Sequence, residues 1–139
     1  MEKFYGDFRI SDNQHDIQFE RVCEMLADTY WAKNRPKESI KTSIIHSLCF
    51  GVYLGQKQIG FARCVTDYSV LYYLADVVID KAYRGQGLGT QLLLSIIEHE
   101  TLVSLLGKLG TNDAHSFYEK FGFKRNRDTS MCRYPEATL

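Results

Sequence analysis

The sequence predicts an α+β fold with a mixed sheet, in one domain spanning residues 1–139. Three observations carry that expectation. Two strand-like runs around a glycine turn, residues 49–67, imply an antiparallel hairpin. An apolar strand, a glycine loop and an apolar helix within residues 69–100, followed by another strand-like run, imply a β-loop-α-β unit. The length of 139 residues is that of one domain, and 45% hydrophobic residues are enough for a core.

In chain order, "DFRISD" (residues 7–12) reads as the first strand. "DIQFERVCEMLADTY" places Ile17, Val22, Met25 and Leu26 near one helical face, with Asp16 as the cap. "RPKESIKTSIIHSL" predicts a second helix with Pro36 in its first turn and Ile40, Ile44 and Leu48 at i, i+4, i+8. The hairpin follows, turning at Gly55. "SVLYYLADVVID" is nearly continuous and rich in aromatic and β-branched residues, as expected for a strand covered on both faces. "TQLLLSIIEHE" is a helix, "LVSLLGKLG" a strand, and "NDAHSFYEKFGF" a helix stopped by Gly122. "FKRN" and "SMCRYP" close the sheet as a final hairpin.

Seventeen basic and seventeen acidic residues give zero formal charge, which argues against an electrostatic nucleic-acid binder. Cys23, Cys49, Cys64 and Cys132 are far apart, without the grouping of a zinc site or disulfide framework, so reduced thiols and no metal are expected. The polar start "MEKFYGDFRI" is unlike a signal peptide, and no apolar run approaches the ~20 residues of a membrane span. A cytoplasmic protein with no membrane partner is the expectation. A homodimer is compatible with the sequence.

"AYRGQGLGTQLL", residues 82–93, raises the functional question. It follows a strand and opens a helix, where backbone N–H groups lack intrahelical partners and the macrodipole adds positive charge. Gly85, Gly87 and Gly89 let a ligand approach the main chain, and Arg84 adds a planar cationic fork. This is an anion cradle suited to phosphate. The dinucleotide fingerprint G-x-G-x-x-G is not met, because the third glycine comes one residue early. The P-loop lysine is absent too, since Thr90 follows Gly89 directly. What remains is R-x-x-G-x-G, fitted by Arg84, Gly87 and Gly89.

That pattern resembles the acyl-CoA pyrophosphate loop of the GNAT superfamily, the Gcn5-related N-acetyltransferases. "YLADVVIDKAYRGQGLGTQLL" resembles the superfamily's central motif along its whole length, and "DAHSFYEKFGF" its second motif, a helix ending in Y-x-x-x-G-F. "SLCFGVY", "GFARCVTD" and "YLADV" together look like a bacterial-type subgroup of unassigned substrate. The resemblance covers roughly residues 8 to 134 and implies a mixed, mostly antiparallel central sheet flanked by helices. It also implies acetyl-CoA as cofactor and transfer of its acetyl group to an amine by direct attack, the acceptor being a small molecule. A protein or peptide amine, or acyl-CoA sensing without turnover, are the alternatives.

Carried over residue by residue, the resemblance gives the backbone of Val77, Val78 and Ile79 to the pantetheine arm. It gives Arg84, Gly85, Gln86, Gly87, Leu88, Gly89 and Thr90 to the pyrophosphate. Tyr118 takes the position of the acid for the leaving thiolate, within an aromatic cluster of Phe117, Phe121 and Phe123. Thr111 stands where many relatives carry a cofactor-contacting asparagine, and Asn112 is its neighbouring substitute. The glutamate that some relatives place before the strand aspartate is Ala75 here, which leaves Asp76 as the base candidate, its pKa expected to rise with burial. His115, three residues before Tyr118 and on the same helical face, is a second candidate near cofactor and chemistry. Tyr30 and Trp31, with Tyr73, are expected to wall the acceptor amine.

Overall fold

The computed structural model describes residues 1–136. Six strands form one sheet in the order β1-β2-β3-β4-β5-β6. They are β1 (Glu2–Tyr5), β2 (Phe8–Ser11), β3 (Leu48–Leu54), β4 (Lys57–Thr66), β5 (Leu71–Ile79) and β6 (Leu106–Lys108). The first five pair antiparallel and β6 joins β5 in parallel, so the sheet is mixed and mostly antiparallel as expected. The helices are α1 (Phe19–Ala27), α2 (Lys37–Ile45), α3 (Leu88–Ile97) and α4 (His115–Glu119).

The hairpin of β3 and β4 forms because Gly55 takes φ 58° between two strands that bury residues 49–53 and 58–62. The crossover from β5 through α3 to β6 supplies the parallel pair. Two cores result. On one face, α3 buries Leu88, Leu92, Leu93 and Ile96 against β3, β4 and the first half of β5. On the other, α1 and α2 bury Val22, Met25, Leu26 and Ile40 against Cys49, Phe61 and Val78. Cys23, Cys49 and Cys64 are buried free thiols, and Cys132 is exposed.

Several elements differ from expectation. β1 lies in the polar start of the chain, hairpinned to β2 through Gly6 at φ 59°. The first helix begins at Phe19, because Gln18 instead donates its backbone N–H to the Gln58 side chain, and Asp16 pairs with Arg9. Pro36 caps α2 rather than lying in its first turn, and Leu48 opens β3 opposite Cys64 rather than extending that helix. The strand expected over 102–110 shrinks to three residues, since residues 99–105 turn through bonds such as Leu102 N–H to the His99 carbonyl. β5 is covered on both faces only in part: Leu71 and Tyr73 are exposed. No strand follows Lys108 among the described residues, so the closing hairpin expected from "FKRN" and "SMCRYP" is absent there, and residues 124–136 are exposed.

The feature that shapes the functional end is a bulge. The β4–β5 register slips between Phe61 and Arg63, leaving one extra residue on β5 at Asp76–Val77. Asp76 adopts φ 56°, one of two non-glycine residues with positive φ among those described. Before the bulge Tyr72 and Leu74 face α3. After it Val77 and Ile79 take that side and Val78 turns toward α1.

Candidate acyl-CoA site

Pairing between β5 and β6 stops at Tyr73 and Lys108. Beyond that point the strands part, and the second half of β5 presents main-chain groups with no β6 partner. The parting opens a groove of about 610 Å³. Its floor is Val77 to Ile79. One end is the glycine loop, the other the aromatic pair Tyr30 and Trp31, and α4 forms a wall through Phe117 and Tyr118.

The loop is held by Asp80. Its carboxylate accepts from Ala82 N–H at 2.9 Å and from Arg21 of α1 at 2.5 Å. The Ala82 bond, aided by Arg21, holds this carboxyl below its ordinary range. Gly85 and Gly87 both sit at φ 81°, in the left-handed region that glycine alone enters without strain. Gly87 is the N-cap of α3, so the first-turn N–H groups open at the loop. A Cβ at Gly85 would meet nothing within 4 Å, one at Gly87 would lie 3.2 Å from the Tyr5 hydroxyl, and one at Gly89 would reach only the Phe117 ring, at 3.6 Å. The bare backbone therefore leaves space at a helix N-terminus, as an anionic ligand requires. The Arg84 Nε donates to the Ile79 carbonyl at 3.0 Å, tying the loop to the end of β5.

Tyr118 packs edge-to-face on Phe117 and Phe123, and Phe117 on Phe121. Burial, with Tyr30 and Asp113 nearby, pushes its hydroxyl up to about 12. Tyr30 and Trp31 meet edge-to-face at 5.0 Å. The Tyr30 hydroxyl accepts from the Asn112 N–H at 3.2 Å, clasping the α1–α2 connection to the segment before α4.

Asp76 requires a correction. Its carboxylate does not line the groove. Oδ1 accepts from the Trp31 indole at 3.0 Å; Oδ2 accepts from Arg35 at 2.7 Å and Arg63 at 2.6 Å. Burial alone pushes the pKa up, but the hydrogen bonds and charges of the two arginines outweigh it, and the net shift is downward. The expected rise is overturned, and a carboxylate this well satisfied is a poor proton acceptor. It pins Trp31 and Arg35 to the bulge instead.

The other expected residues divide plainly. Val77, Val78, Ile79, Arg84, Gly85, Gly87, Leu88, Gly89, Thr90, Tyr118, Tyr30 and Trp31 share the groove. Gln86, Asn112, His115 and Tyr73 do not line it. Gln86 donates to the Tyr83 carbonyl, Asn112 acts through its backbone, and Tyr73 lies on the exposed sheet face. Sequence reasoning missed Asp28, Thr29, Tyr83, Asp113, Ala114 and Phe117 in the lining. Each lies within two positions of a residue that was expected, so the signal was proximity to "YW", to the glycine loop and to α4.

With this geometry in place, the Acetyltransferase (GNAT) domain family model matches residues 46–125. The chain belongs to the GNAT acetyltransferase family. An uncharacterised N-acetyltransferase of Pyropia yezoensis is 30% identical over 142 residues, covering 94% of this chain and 79% of that protein. A crystal structure from Xanthomonas campestris pv. campestris, of a protein assigned to the GNAT family, is similar with TM-score 0.87 and 32% identity over 92% of this chain and 93% of that one. Glucosamine-6-phosphate N-acetyltransferase from Arabidopsis thaliana shares the GNAT fold at TM-score 0.64 and 16% identity, over 91% and 97% of the two chains. No helix among the described residues is long and apolar enough to cross a membrane.

Proposed function

We propose that this GNAT protein is an acetyl-CoA-dependent N-acetyltransferase that acetylates the amine of a small molecule by direct attack. One observation carries the reading: the β5 edge beyond its β6 partner, a glycine-capped helix N-terminus and Tyr118 line a single groove. Acetyl-CoA supplies the activated acetyl group and a sulfur leaving group when bound. Val77 to Ile79 offer main-chain donors and acceptors to an extended arm, as an added strand would use them. The α3 N-terminus, with Gly85 to Thr90, holds a pyrophosphate by backbone N–H groups and the helix dipole.

Tyr118 acts as a hydrogen-bond donor at the leaving sulfur. A pKa of about 12 keeps it protonated across the working range. Full transfer of its proton to an ordinary thiolate of pKa ~8.5 is uphill by about 5 kcal/mol, so donation of a hydrogen bond is favoured over proton loss. Tyr30 and Trp31 present aromatic faces at the opposite end, suited to an amine-bearing acceptor. Asp28 and Asp113 are the acidic residues of the groove's lining, and their carboxylates are the acceptors we assign to the amine's proton, by way of water. The Tyr30–Asn112 clasp narrows this end, which supports a small acceptor over an extended peptide.

Calorimetry with acetyl-CoA, free CoA, ATP and NAD, on the native protein and on Gly87→Glu, tests the reading. Micromolar binding of acetyl-CoA, absent for ATP and NAD and lost in the variant, is expected, and a thermal melt controls for folding. Equal binding of ATP or NAD, or no binding of acetyl-CoA, overturns it. A panel of amines with free-thiol detection then tests turnover; turnover on any amine excludes a sensor without activity.

A further inference from the structure

Residues 80–87, which carry the glycine loop, are tied together mainly by short-range bonds. Ala82 N–H donates to the Asp80 carboxylate, Arg84 Nε to the Ile79 carbonyl and Gln86 Nε2 to the Tyr83 carbonyl. All three close within the loop or onto the end of β5 from which it grows. Among the described residues, one side-chain hydrogen bond joins the loop to a separate element: Arg21 Nη2 of α1 donates to Asp80 Oδ2 at 2.5 Å. The guanidinium is aimed before it gets there. Its Nε donates to the Gln58 carbonyl of β4 at 2.9 Å and its Nη1 to Glu24 at 2.6 Å, which holds the planar fork in one orientation. The two side chains are 18% and 17% exposed, so water screens this pair less than it screens a surface ion pair. A cavity of about 200 Å³ opens beside them, between α1 and the loop. On this side the bond, rather than close packing, joins the two elements.

Asp80 in turn sets the path of the loop. It caps the single 3-10 turn Lys81–Tyr83, and its own N–H is bonded to the Ile59 carbonyl at 2.8 Å. That turn delivers Arg84 and the two left-handed glycines to the start of α3. We propose that Arg21 is a positioning residue for acyl-CoA: by fixing Asp80 it presets the turn that aims the glycine loop, so the cofactor does not have to order the loop as it binds. The proposal rests on the reading of the groove as an acetyl-CoA site. Arg21 is not among the residues lining the groove, so its action runs through Asp80. Presetting a loop lowers the ordering cost of binding. The effect falls on cofactor affinity, because Tyr118 and the aromatic end of the groove are held by other contacts.

Calorimetry with acetyl-CoA on the native chain, Arg21→Met, Arg21→Lys, Asp80→Asn and the double variant Arg21→Met with Asp80→Asn tests the proposal, with thermal melts to check folding. Arg21→Met keeps the apolar stem and removes the fork, and is expected to raise Kd about tenfold. Arg21→Lys restores a charge for Asp80 without the Gln58 bond, and is expected to fall between. The double variant is expected to bind no more weakly than Asp80→Asn, because both changes break the same bond. A folded Arg21→Met with a lower Tm and native Kd overturns the proposal, since Arg21 then only stabilises the fold. Additive losses in the double variant overturn it too. Should Arg21→Met fold poorly, Arg21→Lys and Asp80→Asn carry the same comparison. Hydrogen exchange provides a readout without cofactor. The Ala82 and Tyr83 amides, both bonded to Asp80, are expected to exchange about tenfold faster in Arg21→Met, with β3 at its native rates. If the native chain does not bind acetyl-CoA, the functional reading fails and exchange alone decides what Arg21 does. Acceleration confined to residues 81–87 then supports a preset loop, and unchanged or uniformly faster exchange refutes it.

Discussion

Asp76→Asn separates a pin from a base. Asparagine has the same shape and enters the left-handed region as readily as aspartate, so φ 56° adds no new strain. What changes is charge. The Asp76 side chain is 2% exposed, whereas its partners Arg35 and Arg63 are 25% and 15% exposed. Breaking a buried ion pair by removing one partner costs about 3–5 kcal/mol. Here both guanidinium groups reach water, which places the loss near the lower end, at about 3 kcal/mol. For a domain of this size that lowers Tm by roughly 10 °C. The depressed pKa gives the sign with pH. The folded value lies below the ordinary 3.8, so the contribution of Asp76 is intact above 3.8 and disappears as pH falls through the folded value. The gap between native protein and variant should therefore close in acid. Urea unfolding at several pH values measures this. Trp31, the one tryptophan in the chain, reports on the pin directly, because its indole N–H loses a carboxylate partner and its emission should shift in the folded variant. A variant within about 0.5 kcal/mol of native at neutral pH, with unchanged emission, would refute the pin, since surface substitutions produce effects that small.

Tyr118→Phe should lower kcat by about a hundredfold while acetyl-CoA binding by calorimetry stays within a factor of a few, because the ring packing on Phe117 and Phe123 is kept. Since the native hydroxyl holds its proton to about 12, the native rate should show no loss from this group up to pH 10; a falling limb near 10 that vanishes in the variant contradicts that role. Gly60→Ala tests the sheet beneath the groove: its Cβ would lie 2.8 Å from Ile79 Cδ1 and from Val52 Cγ2, an overpacking worth about 1–3 kcal/mol by urea unfolding, and a neutral result means that β5 can shift sideways.

The two halves of the site were unequally legible in the sequence, for a physical reason. The loop before α3 exposes backbone, and backbone access demands glycine at fixed positions, so Gly85, Gly87 and Gly89 mark it in the sequence. The β3–β4 hairpin was readable from Gly55, and Gly6–Asp7 carried a like signal for β1–β2 that the polar flanks masked. The bulge was not readable, because aspartate at positive φ leaves no compositional trace.

The role of Asp76 shows where such reasoning stops. Its partners Arg35 and Arg63 lie 41 and 13 residues away in the chain. From its own strand, Asp76 is an acid among apolar residues, and desolvation alone gives a raised pKa and a plausible base. Whether that acid becomes a base or a pin depends on how many donors the fold brings to it. A base needs an oxygen free for the substrate's proton. Here one oxygen holds an indole and the other holds two guanidinium groups, so the charge is spent on fixing the end of the groove opposite the glycine loop. The same three bonds hold a backbone conformation that otherwise costs about 1–2 kcal/mol. That conformation turns Val78 away from Val77 and Ile79 and shapes the β5 edge along the groove. Under the proposed function Asp76 acts through geometry, and its effect on turnover should follow Trp31 rather than pH near neutrality.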